Sequence, residues 1–149
     1  MIQLSRSNST TSNTFYLNIF DKMTSIDYSP LISLTSQLTG KSKVFRPLSV
    51  ATSNHTDRYI GMLFQILSSV ASESLVGGQV FLGSTDYPLG FYDVTIYQNS
   101  NNTNLDPDNT VKTIYTGIAN LSATAAASPV DYTEYTTNDS DTESVYITI

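Results

Sequence analysis

The chain contains no cysteine and no tryptophan, and only one histidine among its 149 residues. Without cysteine there are no disulfides, no thiolate metal sites and no cysteine nucleophile. Glycoside hydrolysis calls for paired carboxylates in an aromatic cleft. With tryptophan absent and glutamate limited to Glu73, Glu134 and Glu143, that chemistry is disfavoured. The lone histidine, His55, sits in the polar stretch Thr52–Asp57. No Gly-x-Ser-x-Gly elbow accompanies it, so it reads as a solvent-exposed residue and not as a catalytic base.

Charge is scarce as well. Charged residues make up 13% of the chain, about half the share usual for soluble domains. Ser, Thr and Asn take their place, solvating the surface through hydroxyls and amides, and Thr also suits a pleated strand. The net charge is −6, which repels a phosphate backbone and gives no counterion-release drive towards nucleic acid. Lys41, Lys43 and Arg46 are the one local cluster of basic residues. They read as a solvated strand edge, where charge discourages unwanted pairing. No apolar run reaches membrane-spanning length. The polar stretch Ser5–Thr14 after Met1 offers no apolar segment of signal length. The expectation is a soluble chain with neither nucleic acid nor membrane as partner.

Two acidic clusters, Asp106 with Asp108 and Asp139 with Asp141 and Glu143, supply oxygens of the kind calcium takes. They lack the glycine and spacing of an EF-hand loop and read as solvated turns. Val76-Gly77-Gly78-Gln79 lacks the Lys-Ser/Thr of a phosphate-binding loop. No catalytic, cofactor-binding or metal-binding residue is assigned, and no cofactor is expected.

What is present is strand pattern. The length suits one domain, divided into a flexible N-terminal arm over 1–13 and a β-sandwich over 14–149. Phe15, Leu17 and Ile19 alternate with polar residues. Ser29-Pro30 closes a loop, and Leu31–Thr39 then sets Ile32, Leu34 and Leu38 on one face. Lys41–Val50 is extended but broken at Pro47, which cannot donate to a central ladder and so marks an edge or a switch between sheets. Arg58–Ser68 is the most apolar segment and reads as a buried strand. Ser69–Leu75 has room for one helical turn, and Gln79–Leu82 follows Gly77-Gly78. From Tyr87 to Tyr97 the alternation is strict, with Tyr92, Val94 and Ile96 on one face and Phe91, Asp93, Thr95 and Tyr97 on the other. The polar loop Asn99–Asn109 is rich in Asx-turn residues. Val111–Leu121 is another strand, with a bulge expected at Gly117. Val130–Thr136 and Ser144–Ile149 complete the pattern. About eight strands at this spacing predict an all-β fold, an immunoglobulin-like Greek-key β-sandwich. Tyr92, just after a Gly turn, is the candidate for its tyrosine corner.

The run Leu89-Gly90-Phe91-Tyr92-Asp93-Val94-Thr95-Ile96-Tyr97-Gln98, followed by Thr103-Asn104-Leu105-Asp106-Pro107, resembles small virion proteins of tailed phages, including marine and crAss-like ones. Leu38-Thr39-Gly40-Lys41 to Arg58-Tyr59, Tyr132-Thr133-Glu134-Tyr135 and Ser144-Val145-Tyr146 fit the same layout. The resemblance covers roughly the last three-quarters of the chain, and its motifs are structural, not catalytic. It implies an immunoglobulin-like sandwich in the virion, assembled in the host cytoplasm and present in many copies or as a homo-oligomer. The leading expectation is an auxiliary (decoration) capsid protein, with the major capsid protein or other virion proteins as partners. The alternative is a head-fibre, tail or adhesin-type module recognising a carbohydrate or host surface. Candidate interface residues are Phe15, Phe20, Val145, Ile147 and Ile149, the last three on a terminal strand apolar enough to add to another sheet edge.

Overall fold

A computed structural model describes residues 1–19, 22–23, 29–52 and 59–123. These form nine strands: β1 (Ile2–Arg6), β2 (Thr11–Leu17), β3 (Ser29–Ser36), β4 (Ser42–Phe45), β5 (Ser49–Thr52), β6 (Ile60–Leu67), β7 (Gln79–Phe81), β8 (Gly90–Asn99) and β9 (Lys112–Ala123). Two sheets result. One has the order β1-β9-β8-β3-β4; in the other β6 is central, with β2 on one side and β5 and β7 also paired to it. The β1–β9 and β6–β7 pairs are parallel, and the rest are antiparallel. The protein is all-β. Among the described residues no helix is long and apolar enough to cross a membrane. His55, the acidic residues Asp139, Asp141 and Glu143, and both C-terminal strand segments lie outside the described residues.

The core follows from alternation. In the first sheet Ile32, Leu34 and Ser36 of β3 stand opposite Ile96, Val94 and Tyr92 of β8, and all six are buried. From the second sheet Phe15, Met62, Phe64 and Ile66 close over them. Phe64 joins the layers, lying edge-on to Phe15 at 5.7 Å between ring centroids and tilted against Phe45 at 5.0 Å. Pro47 stands between β4, at the edge of one sheet, and β5, in the other, as a residue without an N–H requires. Pro30 falls inside β3 instead of ending a loop. It is tolerated because β4 pairs only Ile32–Thr35, so that among the described residues β3 has no neighbour on that side at Pro30.

Three sequence expectations need correction. Residues 1–13, read as an arm, contain β1 and the opening of β2. Ile2 and Leu4 are buried, and β1 runs parallel to β9 with Ile2 opposite Ala119. The polar composition that suggested a loop serves instead as cross-linking. The Ser5 N–H donates to Asn13 Oδ1 at 2.7 Å, and Asn13 Nδ2 donates to the Ser5 carbonyl at 3.0 Å. One buried amide thus satisfies both backbone groups of Ser5 and stitches the two sheets together at this seam.

The second correction concerns the bulge, which is at Ile114 and not at Gly117. Ile96 pairs with Tyr115 and Tyr97 with Thr113, so Ile114 has no partner on β8. The extra residue reverses the alternation, which lets Ile114 reach the core although it differs in parity from Ala119 and Leu121. Gly117 instead makes room for the Tyr115 ring, with which a Cβ at that position would collide. Third, β3 ends at Ser36, and Leu38 sits on the turn to β4, not on the inner face with Ile32 and Leu34.

The opposite seam is held by charge. Lys43 of β4 pairs with Glu73 at 2.7 Å, and the same carboxylate oxygen accepts the Phe81 N–H of β7 at 2.9 Å. Lys43 also lies 4.8 Å from the Tyr87 ring centroid. It is therefore a tie between the sheets and not the freely solvated edge charge expected. Arg46 donates to the Asn102 carbonyl, and only Lys41 of the three stands exposed.

Replacing Asn13 with alanine leaves the Ser5 N–H and carbonyl without their partner. The expected cost is about 1–3 kcal/mol, read from urea unfolding, together with faster amide exchange at Ser5. Unchanged exchange at Ser5 would contradict the cross-link.

Candidate docking surface

The Ser36–Lys41 turn and the entry to β8 meet at one end of the five-stranded sheet. The turn closes with the Gly40 N–H donating to the Ser36 carbonyl at 2.8 Å, and Gly40 takes φ 69°. Glycine adopts that conformation without steric cost. Three further bonds fix the turn to the neighbouring segment. The Gln37 N–H donates to the Phe91 carbonyl at 3.0 Å. Gln37 Nε2 donates to Asp93 Oδ1 at 2.7 Å, and Thr39 Oγ1 donates to the Asp86 carbonyl at 2.6 Å. Between these walls lies a shallow depression of about 330 Å³, lined by Ser36, Gln37, Leu38, Leu89, Gly90 and Phe91.

Its apolar groups face water. Leu38 is 80% exposed, Phe91 51% and Leu89 44%. Ile118 extends the patch: Asp93 stands opposite Ile118 and Phe91 opposite Asn120, which sets Phe91 and Ile118 diagonally on one face. Scattered exposed hydrophobics are ordinary, whereas a contiguous group with a polar rim marks an interaction surface. Because the walls are already hydrogen-bonded, little ordering entropy remains to be lost on contact.

Tyr92 underlies this end. It is fully buried, and its hydroxyl donates to the Pro88 carbonyl at 2.6 Å, fixing the loop that carries Leu89. Burial pushes the phenol up to about 12, eased by a hydrogen bond with Ser36 and raised again by Tyr87. The unfolded chain ionises this group near about 10. Between those values the folded state holds the proton that the unfolded state releases, so the stabilisation is complete below pH ~10 and falls as pH rises towards ~12. Tyr92→Phe is expected to cost about 1–2 kcal/mol at pH 7. It should also flatten the loss of stability between pH 10 and 12, read as urea midpoints of the two proteins. Parallel slopes would contradict the assignment.

The other expected site residues separate. Phe15 is buried against Phe64, so it belongs to the core and not to an interface. Its place on the inward face of β2, paired with buried Met62, is the reason. Phe20, Val145, Ile147 and Ile149 lie outside the described residues. Asp106 accepts the Asp108 N–H at 3.0 Å and caps the 3₁₀ turn Pro107–Asn109, a structural use of that carboxylate. Among the described residues no group of three or more His, Asp or Glu is placed to hold a metal.

Leu38, Leu89 and Ile118 are the functional candidates that the sequence pattern passed over. Phe91 carries the one signal available, a wholly apolar ring on the face it shares with Asp93, Thr95 and Tyr97. No family model matches the chain, and no curated protein matches it in sequence.

Proposed function

We propose that the protein is a structural component of a tailed-phage virion, an auxiliary capsid protein that docks on the lattice of the major capsid protein. The observation that carries this reading is the preformed apolar patch of Leu38, Leu89, Phe91 and Ile118, set on a hydrogen-bonded end of the sandwich. The resemblance of Leu89–Gln98 and Thr103–Pro107 to phage virion proteins supports it. An immunoglobulin-like Greek-key sandwich is part of this reading, supported by the order β1-β9-β8-β3-β4 beside β2-β6-β5, with β7 an addition to β6, and by the Tyr92 hydroxyl bonded to the Pro88 carbonyl in the manner of a tyrosine corner. Rigid sandwiches of this kind suit repeated display, since each copy presents the same patch with little reorganisation.

Mass spectrometry and cryo-EM of purified virions test the proposal. The chain should appear in many copies, with the Leu38–Phe91 end against the capsid. Absence from purified particles defeats it. Leu38→Asp should abolish binding to capsids assembled without the protein, while leaving the free energy of unfolding unchanged to within about 0.5 kcal/mol.

A further inference from the structure

The sheet built on β6 ends at β2, whose one ladder among the described residues is with β6. An uncovered edge strand is a template for a further strand, and proteins blunt such edges with charge, proline, shortness or a covering segment. The other edges each have one of these. On β1 the Asn13 amide occupies both backbone groups of Ser5. On β4 Lys43 is paired with Glu73, and just beyond it the Arg46 N–H donates to the Leu75 carbonyl at 2.8 Å. β5 and β7 are only four and three residues long. β2 runs for seven residues, Thr-Ser-Asn-Thr-Phe-Tyr-Leu, with no charge and no proline.

The core is also thinnest there. Ile2, Phe15 and Leu17 keep 8%, 7% and 9% of their surface exposed, and every other buried apolar side chain keeps 3% or less. Phe15 and Leu17 belong to β2, and Ile2 to β1, the edge of the other sheet. Ile2 and Leu17 stand at the strand ends remote from the Ser5–Asn13 cross-link. The incompletely covered place is thus the seam between the two edge strands, away from the bond that closes it.

One segment of the sequence fits this seam. In 144–149, Ser-Val-Tyr-Ile-Thr-Ile, the apolar Val145, Ile147 and Ile149 share one parity, while Ser144, Tyr146 and Thr148 share the other. Laid beside β2 it would repeat that strand's own pattern, in which Phe15 and Leu17 are buried and Tyr16 is exposed. Segment 130–136 does not fit. Glu134 shares parity with Val130 and Tyr132, and Asp131 with Thr133 and Tyr135, so either face would bring a carboxylate to the core, where an unpaired charge is costly. The tether is long enough. Ala123 at the end of β9 stands opposite Arg6, a few residues before β2 begins. The 20 residues 124–143 reach up to about 66 Å when extended, and β2 is about 23 Å long. A tether also holds the segment at an effective concentration on the order of millimolar, well above that of a second copy in dilute solution.

We propose that residues 144–149 add to the open edge of β2 in their own chain, with Val145, Ile147 and Ile149 completing the cover over Ile2, Phe15 and Leu17. Main-chain ladder bonds give the attachment, and the alternate apolar side chains set which face turns inward. The added strand removes the edge at which crowded copies would otherwise join. The inference does not depend on the capsid role and fails separately from it.

The test is nuclear magnetic resonance of the full chain. Nuclear Overhauser effects should join the Val145 and Ile147 methyls to the Phe15 ring and the Leu17 methyls. Amides of 145–149 should exchange slower by about tenfold or more than in a free 144–149 peptide. Deleting 144–149 should speed exchange of the β2 amides not bonded to β6 by a similar factor. Ile147→Asp should do the same, whereas Thr148→Asp, on the outward parity, should leave exchange as in the parent. The Overhauser contacts need no variant, so they decide the matter even where the shortened chain fails to fold. Their absence overturns the proposal, as do equal effects of Ile147→Asp and Thr148→Asp. Slow exchange at 145–149 that grows with protein concentration, together with a dimer in light scattering, also overturns it by seating the segment on a second copy.

Discussion

Phe64→Ala is expected to lower the free energy of unfolding by about 3–5 kcal/mol, the largest loss from truncating any one side chain of this core. Phe64 has no exposed surface and meets two other aromatic rings, Phe15 edge-on and Phe45 tilted. Truncation removes the transfer free energy of a whole ring. It also opens a cavity between two sheets whose spacing is set by many other residues, so the walls relax only in part. The two aromatic pairs add about 0.5–1.5 kcal/mol each beyond burial. A domain of this kind is stable by roughly 5–15 kcal/mol, so the variant loses a large fraction of the total. Phe64→Leu keeps most of the volume and should cost less than half as much. Urea unfolding followed by tyrosine fluorescence, usable because tryptophan is absent, measures both. A Phe64→Ala cost below about 1 kcal/mol would mean that the rings are not the junction between the layers.

Gly78→Ala should rank close behind, at about 3–4 kcal/mol, for a different reason. Along one edge of β6 the partner changes from β5 to β7. At the change, the Leu48 N–H donates to the Leu63 carbonyl at 2.7 Å and the Gln65 N–H donates to the Gly78 carbonyl at 2.8 Å. The approaches to β5 and β7 are thus drawn together. Gly78 has φ 70°, and an added Cβ would overlap the backbone nitrogen and Cα of Leu48. Backbone held by ladder bonds on both sides cannot move aside as a side-chain tip can. Gly40→Ala is the matched control, because Gly40 has φ 69° with nothing near its missing Cβ. It should lose only the conformational share, about 1–2 kcal/mol. The difference between the two unfolding free energies isolates the collision, and equal losses would refute it.

Tyr92–Ile96 and Ile60–Leu67 were legible because each carries a long period-two or continuously apolar signal, and burial follows that signal directly. Pro47 was legible for a chemical reason, its missing N–H. β1 was not. Its two inward residues, Ile2 and Leu4, are too few to define a period, and the pairing that buries them comes from a strand more than a hundred residues away. Gly117 is the bulge candidate by sequence because glycine commonly marks one. Ile114 takes the place through parity, which shows only once β8 is laid beside β9. The apolar patch was hidden similarly. Leu38, Leu89 and Ile118 are ordinary taken singly and gain meaning when the turn and two strands bring them together. Phe15 shows the converse: a candidate interface residue by sequence, it is placed inside by its register opposite Met62.

The parallel pairing of β1 with β9 also sets an order of events during synthesis. Ile2 lies opposite Ala119, so β1 waits for a strand made on the order of 10 s later at ordinary elongation rates. Until then Ile2 and Leu4 lack the β9 side of their wall, while β2, β3, β6 and β8 already have their mutual partners. The β1–β9 ladder therefore closes only after β9 has been made. Ending translation before Leu121 would leave β8 without the strand that shields its edge, making incomplete chains ready substrates for proteases and for pairing with one another.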